Sequence, residues 1–223
     1  MNPDILVLFD LDHTLWPHDT DERWIEYLIE QGQLDAAAYE AANRDLAARY
    51  LRGEAGAFEY VEFYLSPLKA RTAQDFAALQ AAFMESCIRT SIPAAARELL
   101  ARHRSQGHLT VLTTGTSRFL TAPIAQELGF AHLIATEPEV KNGRFTGRVA
   151  GTPNMREGKV ERLLDWLSRR RQRLADFRES WFYSDSQNDL PLLSHVTHPV
   201  AVNADEVLSA HARQAGWRQI SIG

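Results

Sequence analysis

The first run of apolar positions, Ile5-Leu6-Val7-Leu8-Phe9, is continuous and stops at acidic and turn-forming residues. An apolar run with no polar alternation predicts a strand buried on both faces, at the centre of a parallel sheet. From about Asp19 to Ile88 the pattern changes to helical periodicity, rich in Ala, Leu, Glu and Arg and poor in β-branched residues. Breaks near Gly32, Gly53, Gly56 and Ser66-Pro67 divide that stretch into roughly four helices. Beyond Pro93 the pattern predicts a helix over Ala94–Arg104, closed by Gly107, and a strand over Leu109–Thr113. Helix and strand then alternate through Thr121–Leu128, His132–Thr136, Gly158–Arg171, Ser180–Ser184, Pro191–Ser194, Val200–Val202 and Gln219–Ile222. Such alternation predicts an α/β fold with a doubly wound parallel sheet. Two features interrupt it. Asn142-Gly143, inside Val140–Val149, signals a tight hairpin. The helical insertion follows the first strand directly, above the edge where α/β sheets bind ligands.

Composition narrows the classes of function. Of 223 residues, 45% are apolar and 24% charged, which suits a globular chain with a sizeable core. The net charge of −5 disfavours nucleic acid and anionic membranes as partners. Cys87 is the single cysteine, so neither an internal disulfide nor a cysteine-based zinc site is expected. The start of the chain lacks the basic and apolar segments of a secretory signal, and no apolar run reaches the ~18 residues a bilayer requires, so the expected location is the cytoplasm. Arg169-Arg170-Arg171 and Arg173 sit where a predicted helix ends, and there positive charge favours the helix dipole and solvent, with nucleic-acid or phosphate docking as the alternative.

Chemistry concentrates at the exits of the predicted strands. In Phe9-Asp10-Leu11-Asp12-His13-Thr14-Leu15, two carboxylates one residue apart can project the same way, one to attack and one to manage a proton. A capped turn is the plain alternative for that spacing. Thr114-Gly115-Thr116 follows Leu109–Thr113, and a hydroxyl with backbone N–H groups in a glycine-containing turn can hold phosphate oxygens. Lys159, after Gly158, offers an ammonium to neutralise a phosphoryl group. Tyr183-Ser184-Asp185-Ser186-Gln187-Asn188-Asp189 adds two more carboxylates, and oxygen-rich groups of this kind suit magnesium.

On these motifs the chain resembles the haloacid dehalogenase-like superfamily, specifically its subfamily IB phosphatases. Its four motifs occur in order: Asp10/Asp12/Thr14, Thr114, Lys159 and Asp185/Asp189. The resemblance implies a Rossmann-like catalytic core from residues 1–16 and 89–223, with an all-helical cap inserted at 17–88. It further implies a phosphatase in which Asp10 attacks phosphorus and Asp12 protonates the leaving alcohol, then deprotonates water. Thr114, Gly115 and Lys159 would bind the phosphoryl group, and Mg2+ would sit on Asp10, the backbone carbonyl of Asp12 and Asp185. Asp189 would orient metal-bound water, and Asn188 would touch substrate or Lys159. Gly115-Thr116 and Ser184-Asp185-Ser186-Gln187 depart from the glycine-rich forms of phosphoserine phosphatases without removing a catalytic group.

Specificity is expected from the cap. By the same resemblance Asp19 faces a substrate amine; a helix N-cap is the equal alternative. Trp16, Trp24, Phe58, Tyr60 and Tyr64 offer an aromatic wall or, at helical spacing, core. Arg44, Arg49 and Arg52 are the cap groups able to hold a substrate carboxylate. The stretch from Ala150 to Lys159 resembles a branch assigned to histidinol phosphate, which carries an amine and no carboxylate. The expected partner is therefore a small phosphomonoester such as histidinol phosphate, with phosphoserine as the alternative. A catalytically silent phospholigand-binding protein on the same fold is the reading from another class.

Overall fold

The computed structural model describes residues 3–52 and 54–222; Gly53, one of the expected helix breaks, lies outside them. Its strands are β1 (Ile5–Phe9), β2 (Leu109–Ser117), β3 (Leu133–Thr136), β4 (Pro138–Lys141), β5 (Arg144–Val149), β6 (Glu179–Ser184), β7 (His198–Val202) and β8 (Arg218–Ile220). Six of them form one parallel sheet in the order β3-β2-β1-β6-β7-β8. β1 is central and buried throughout, as an unbroken apolar run requires. Its alternate side chains feed two cores. Ile5, Val7 and Phe9 join the cluster that extends into the helical insertion, while Leu6 and Leu8 pack with Leu163, Leu167 and Leu208 on the other face.

The helices are α1 (Thr20–Glu30), α2 (Ala36–Leu51), α3 (Ala57–Leu65), α4 (Ala77–Phe83), α5 (Ala94–Ser105), α6 (Arg118–Glu127), α7 (Glu157–Arg169), α8 (Leu190–Leu193) and α9 (Glu206–Ala215). α1 to α4 lie between β1 and α5, and a π-helical turn, Met84–Ile88, extends α4. Two elements differ from the expectation. α9 was not foreseen, although Asp205 caps its start by accepting from Leu208 N at 2.7 Å and Gly216 ends it at φ 69°. β2 runs four residues past the expected end at Thr113, so Thr114-Gly115-Thr116 is strand and not a following turn. Pairing to β3 resumes at Ser117–Thr136 after Thr114–Ala135, and Gly115-Thr116 bulge out between them.

The β4–β5 hairpin turns through Asn142 and Gly143 at φ 51° and 74°, the two positive φ angles of a type I′ turn. It is stitched to the insertion: Phe145 O accepts from Ala70 N at 2.8 Å, and Phe145 N donates to Arg71 O at 2.9 Å. The arginine run is occupied locally. Arg169 pairs with Asp165 at 2.7 Å, Arg170 lies over Trp166 at 4.7 Å and Arg173 pairs with Asp176 at 2.8 Å. No helix among the described residues is long and apolar enough to cross a membrane.

Against β1 and β6, α5 contributes a buried imidazole. His103 Nε2 lies 2.9 Å from Tyr183 Oη and Nδ1 lies 2.9 Å from His108 Nδ1. Burial, then the neighbouring His108, Arg102 and Arg218, lower its pKa to about 4. The unfolded chain therefore takes up this proton near pH 6.5 and the folded chain only near 4, so His103 costs stability as pH falls through that window. Urea titrations of His103→Phe and the wild type should show the wild type losing ground to the variant between pH 6.5 and 4. A stability difference constant over that range would show that His103 does not titrate as its surroundings dictate.

Candidate active site

At β1 the strand order reverses: β2 and β3 lie on one side, β6 to β8 on the other. A crevice opens above such a point, and the carboxyl ends of β1 and β6 deliver Asp10 and Asp185 there. Lys159, in the first turn of α7, points into the same place and is 4% exposed. Its ammonium donates to Asp10 Oδ1 at 2.7 Å and to Asp189 Oδ2 at 2.6 Å. Ser184 donates to the same Asp189 oxygen at 2.6 Å, and Thr14 donates to Asp185 Oδ1 at 2.8 Å. Asn188 accepts from Arg156 Nε at 3.2 Å rather than meeting Lys159.

Asp12 occupies the junction with the insertion. Its Oδ1 accepts from the backbone N–H of Thr20 at 2.9 Å and also from the Thr20 hydroxyl, while Oδ2 accepts from Thr116 Oγ1 at 2.7 Å. Thr20 opens α1, so the carboxylate also lies at the positive end of a helix. Asp19 is the N-cap of that helix and accepts from Glu22 N at 2.9 Å. It lines the crevice as well, beside Asp21. Thr114 is fully buried, with its Oγ1 accepting from Thr116 N at 3.2 Å; Gly115 and Thr116 are the bulge residues that line the crevice.

The crevice encloses about 380 Å³. Asp10, Asp12, Asp19, Asp21, Asp185 and Asp189 line it against the two cationic side chains Lys159 and Arg156. Burial, against the pull of Lys159, pushes Asp10 well above the usual carboxylate range. Burial lifts Asp12 to about 6, with Asp19 adding to the shift and the Thr20 and Thr116 bonds opposing it. Burial likewise lifts Asp185 to about 6 against the Thr14 bond. For Lys159 burial acts downward, but Asp10 and Asp189 outweigh it and hold the ammonium protonated.

Among the described residues no three His, Cys, Asp or Glu side chains converge as a ready-made metal cluster. The expected ligand set needs only two carboxylates, Asp10 and Asp185, plus the main-chain carbonyl of Asp12. Those oxygens fit magnesium, which takes one or two carboxylates and fills its remaining positions with water and substrate oxygens. Lys159 and Thr14 each bond a single oxygen, Oδ1, of these two carboxylates.

Of the residues expected to form an aromatic wall, Tyr60 lines the crevice; Trp16, Trp24 and Tyr64 are core, and Phe58 is half-exposed. Arg44, Arg49 and Arg52 do not line it and pair instead with Glu40, Glu59 and Glu54. Sequence reasoning passed over Thr20, Thr116 and Ser184, whose hydroxyls hold the carboxylates. A hydroxyl beside a helix cap or in a strand carries no signal of its own until the fold shows which acid it meets. Asp21 and Asn154, which carry no expected site role, also line the crevice.

The haloacid dehalogenase-like hydrolase profile matches residues 7–194. A protein of Neisseria meningitidis named histidinol-phosphatase is 38% identical over 213 residues, covering 95% of this chain and 96% of that one. A Bordetella pertussis protein of unknown function has a solved structure that superposes with a TM-score of 0.95 at 45% identity, covering all of both chains. A substrate-bound phosphoserine phosphatase superposes with a TM-score of 0.66 at 19% identity, covering 100% of this chain and 93% of that one, which is a likeness of fold.

Lys159 pairs with both Asp10 and Asp189, and removing one partner of a buried pair strands the other. Replacing it by Met, which preserves the stem, should cost about 3–5 kcal/mol in urea unfolding at neutral pH in chelator. A loss below about 1 kcal/mol would mean that the two carboxylates do not depend on the ammonium.

Proposed function

Because the chain belongs to the haloacid dehalogenase-like hydrolases, we propose that it is a magnesium-dependent phosphatase in which Asp10 attacks small, amine-bearing phosphate esters such as histidinol phosphate. The observation that carries the reaction class is the Lys159 ammonium shared between Asp10 and Asp189 at the switch point of the sheet. Asp10, Asp185 and the Asp12 carbonyl would hold the metal, whose charge offsets the repulsion between a carboxylate and an anionic phosphoryl group.

In this reading an Asp10 oxygen forms a bond to phosphorus as the ester P–O bond breaks, and Asp12 gives its proton to the departing alkoxide. Asp12 then takes a proton from water, whose oxygen bonds to phosphorus while the bond to Asp10 breaks, releasing phosphate and restoring both residues. Thr20 and Thr116 fix Asp12 for both transfers, because each carboxylate oxygen is tied to a donor on a different element. Lys159 keeps Asp10 aimed and adds positive charge where the transferred group arrives. Gly115 and Thr116 face that group from β2.

The substrate reading draws on two supports. The Neisseria relative matches over nearly the whole of both chains. The insertion side of the crevice offers Asp19, Asp21 and Tyr60 and, among the described residues, no Arg or Lys, a lining that favours a cationic group over a carboxylate. Phosphoserine, the second reading, is favoured by the fold likeness to phosphoserine phosphatase, but Arg44, Arg49 and Arg52 do not line the crevice, and Arg156, which does, stands at the start of α7 and not in the insertion. A catalytically silent binding protein would have no use for an aligned Asp10, Asp12 and Lys159.

Two experiments test these readings. In a panel of phosphomonoesters with magnesium, kcat/KM for histidinol phosphate should exceed that for phosphoserine by at least roughly tenfold, the discrimination expected when one buried charge lacks a partner. Preference for phosphoserine would overturn the substrate assignment, and no hydrolysis of any ester, p-nitrophenyl phosphate included, would leave the silent protein. For the mechanism, Asp10→Asn should abolish turnover. Asp12→Ala should slow alkyl esters by ~10²–10⁴-fold yet accumulate phosphoenzyme from p-nitrophenyl phosphate, whose leaving group needs little protonation. Intact-protein mass after acid quench should show one added phosphoryl group that disappears in the Asp10→Asn/Asp12→Ala double variant. Wild-type turnover of both kinds of ester by Asp12→Ala would sink the acid–base assignment.

A further inference from the structure

The loop entering α7 carries a fully buried amide that the catalytic scheme leaves unused. Asn154 Nδ2 lies 3.0 Å from Thr113 Oγ1, 2.9 Å from Thr114 O and 3.1 Å from Ile134 O, and its backbone N–H donates to Thr136 Oγ1 at 2.9 Å. Two of the side chain's neighbours are carbonyls, which can only accept, so the nitrogen must face them. Asn154 Oδ1 is then left buried with no hydrogen-bond partner among the described residues. An orphaned acceptor is disfavoured, so the donor side has to matter to the fold around it.

What the donors hold is the irregular end of β2. Pairing with β3 jumps from Thr114–Ala135 to Ser117–Thr136, and the two extra residues, Gly115 and Thr116, are the ones turned to the crevice. Asn154 spans that jump from a third element, tying the carbonyl just before the bulge to β3. Its neighbour presses from above: a Cβ on Gly115 would come within 3.1 Å of Met155 Cγ. The same loop is folded back so tightly that a Cβ on Gly158 would lie 2.2 Å from Pro153 O, and Lys159 follows at once. One short segment thus grips the bulge at Asn154 and the nucleophile at Lys159.

We propose that Asn154 is a positioning residue for phosphoryl binding: its amide holds the β2 bulge so that Gly115 and Thr116 face the group that Asp10 attacks. The inference rests on the phosphatase reading and adds a residue to it. Asn154 lines the crevice, but its amide is turned to the β2–β3 junction, and in this scheme it acts through the bulge by setting the spacing between it and the Lys159–Asp10 pair.

The test is product inhibition by inorganic phosphate during hydrolysis of p-nitrophenyl phosphate with magnesium, read beside KM, kcat and melting temperature. Asn154→Ala should raise the phosphate Ki and the KM at least roughly tenfold, and Asn154→Ser, which keeps one donor, should fall between it and the wild type. Thr136→Val removes the acceptor of the Asn154 backbone N–H in the same junction but leaves the amide clamp, so it should lower the melting temperature while holding Ki within about twofold. Ki within twofold of wild type for the Asn154 variants, whatever their melting temperatures, overturns the proposal; the Ser variant decides alone if the Ala variant does not fold. An equal rise in Ki for Thr136→Val also overturns it, since general loosening of the junction would then suffice. A wild type inert to both probes overturns the phosphatase reading and this inference together, whereas an active wild type with unmoved variants overturns the inference alone.

Discussion

Everything about the crevice depends on one ammonium that has almost no water. Lys159 is 4% exposed and serves two carboxylates from different strand ends, so α7 must start where it does and β1 and β6 must end where they do. A buried cation with two anionic partners over-answers its own charge, and Asp185 close by adds a third carboxylate. Fully ionised, the assembly would carry surplus negative charge at the bottom of a cleft, held in place by bonds that cannot relax into solvent. Placed on a surface, the same residues would repel one another apart. In the interior the sheet prevents it, and burial, with the neighbouring carboxylates adding to it, holds Asp10, Asp12 and Asp185 above the usual carboxylate pKa range.

Much of this frame was legible in the sequence because it rests on one-dimensional signals. β1 was readable to the residue, since an apolar run between polar ends has a single stable home, and the hairpin at Asn142-Gly143 was readable from turn chemistry. Asp10, Asp12, Lys159, Asp185 and Asp189 were singled out by their places at strand and helix ends, and the fold gathers all five at one crevice. Other features needed three dimensions. The end of β2 was misjudged because a bulge does not interrupt β-forming residues; threonines on both sides of Gly115 look alike whether they extend the strand or leave it. α9 went unread although Asp205 and Gly216 bracket it, for its apolar stripe is only a few residues wide. Asn154 gave no signal because its partners are main-chain carbonyls, which every residue has.

The junction between sheet and insertion is where orientation and access meet. Asp12 belongs to the core loop, yet its bonds run to Thr20 at the start of the insertion and to Thr116 on β2. Nearby, Trp16 Nε1 donates to Ser91 Oγ at 2.6 Å, tying the chain segment that enters the insertion to the one that leaves it. The π-helical turn at Met84–Ile88 lies on that return path, where an extra residue per turn re-aims a helix without breaking it. The position of the acid–base candidate is thereby set by both parts of the molecule and not by the sheet alone.

The β4–β5 hairpin gives that arrangement a consequence for how such proteins can be recombined. Its two backbone bonds to Ala70 and Arg71, and the edge-on contact of Phe145 with Phe119 at 5.3 Å, make the hairpin a core element shaped to one particular insertion. Gly147 sharpens the fit, since a Cβ there would press within 3.3 Å of the Lys69 side chain. A chimera that grafts a different helical insertion onto this sheet, while keeping residues 138–149, would inherit a clasp with nothing to close on. The exchangeable unit is therefore discontinuous in sequence: the insertion and a hairpin about fifty residues beyond its end travel as a pair.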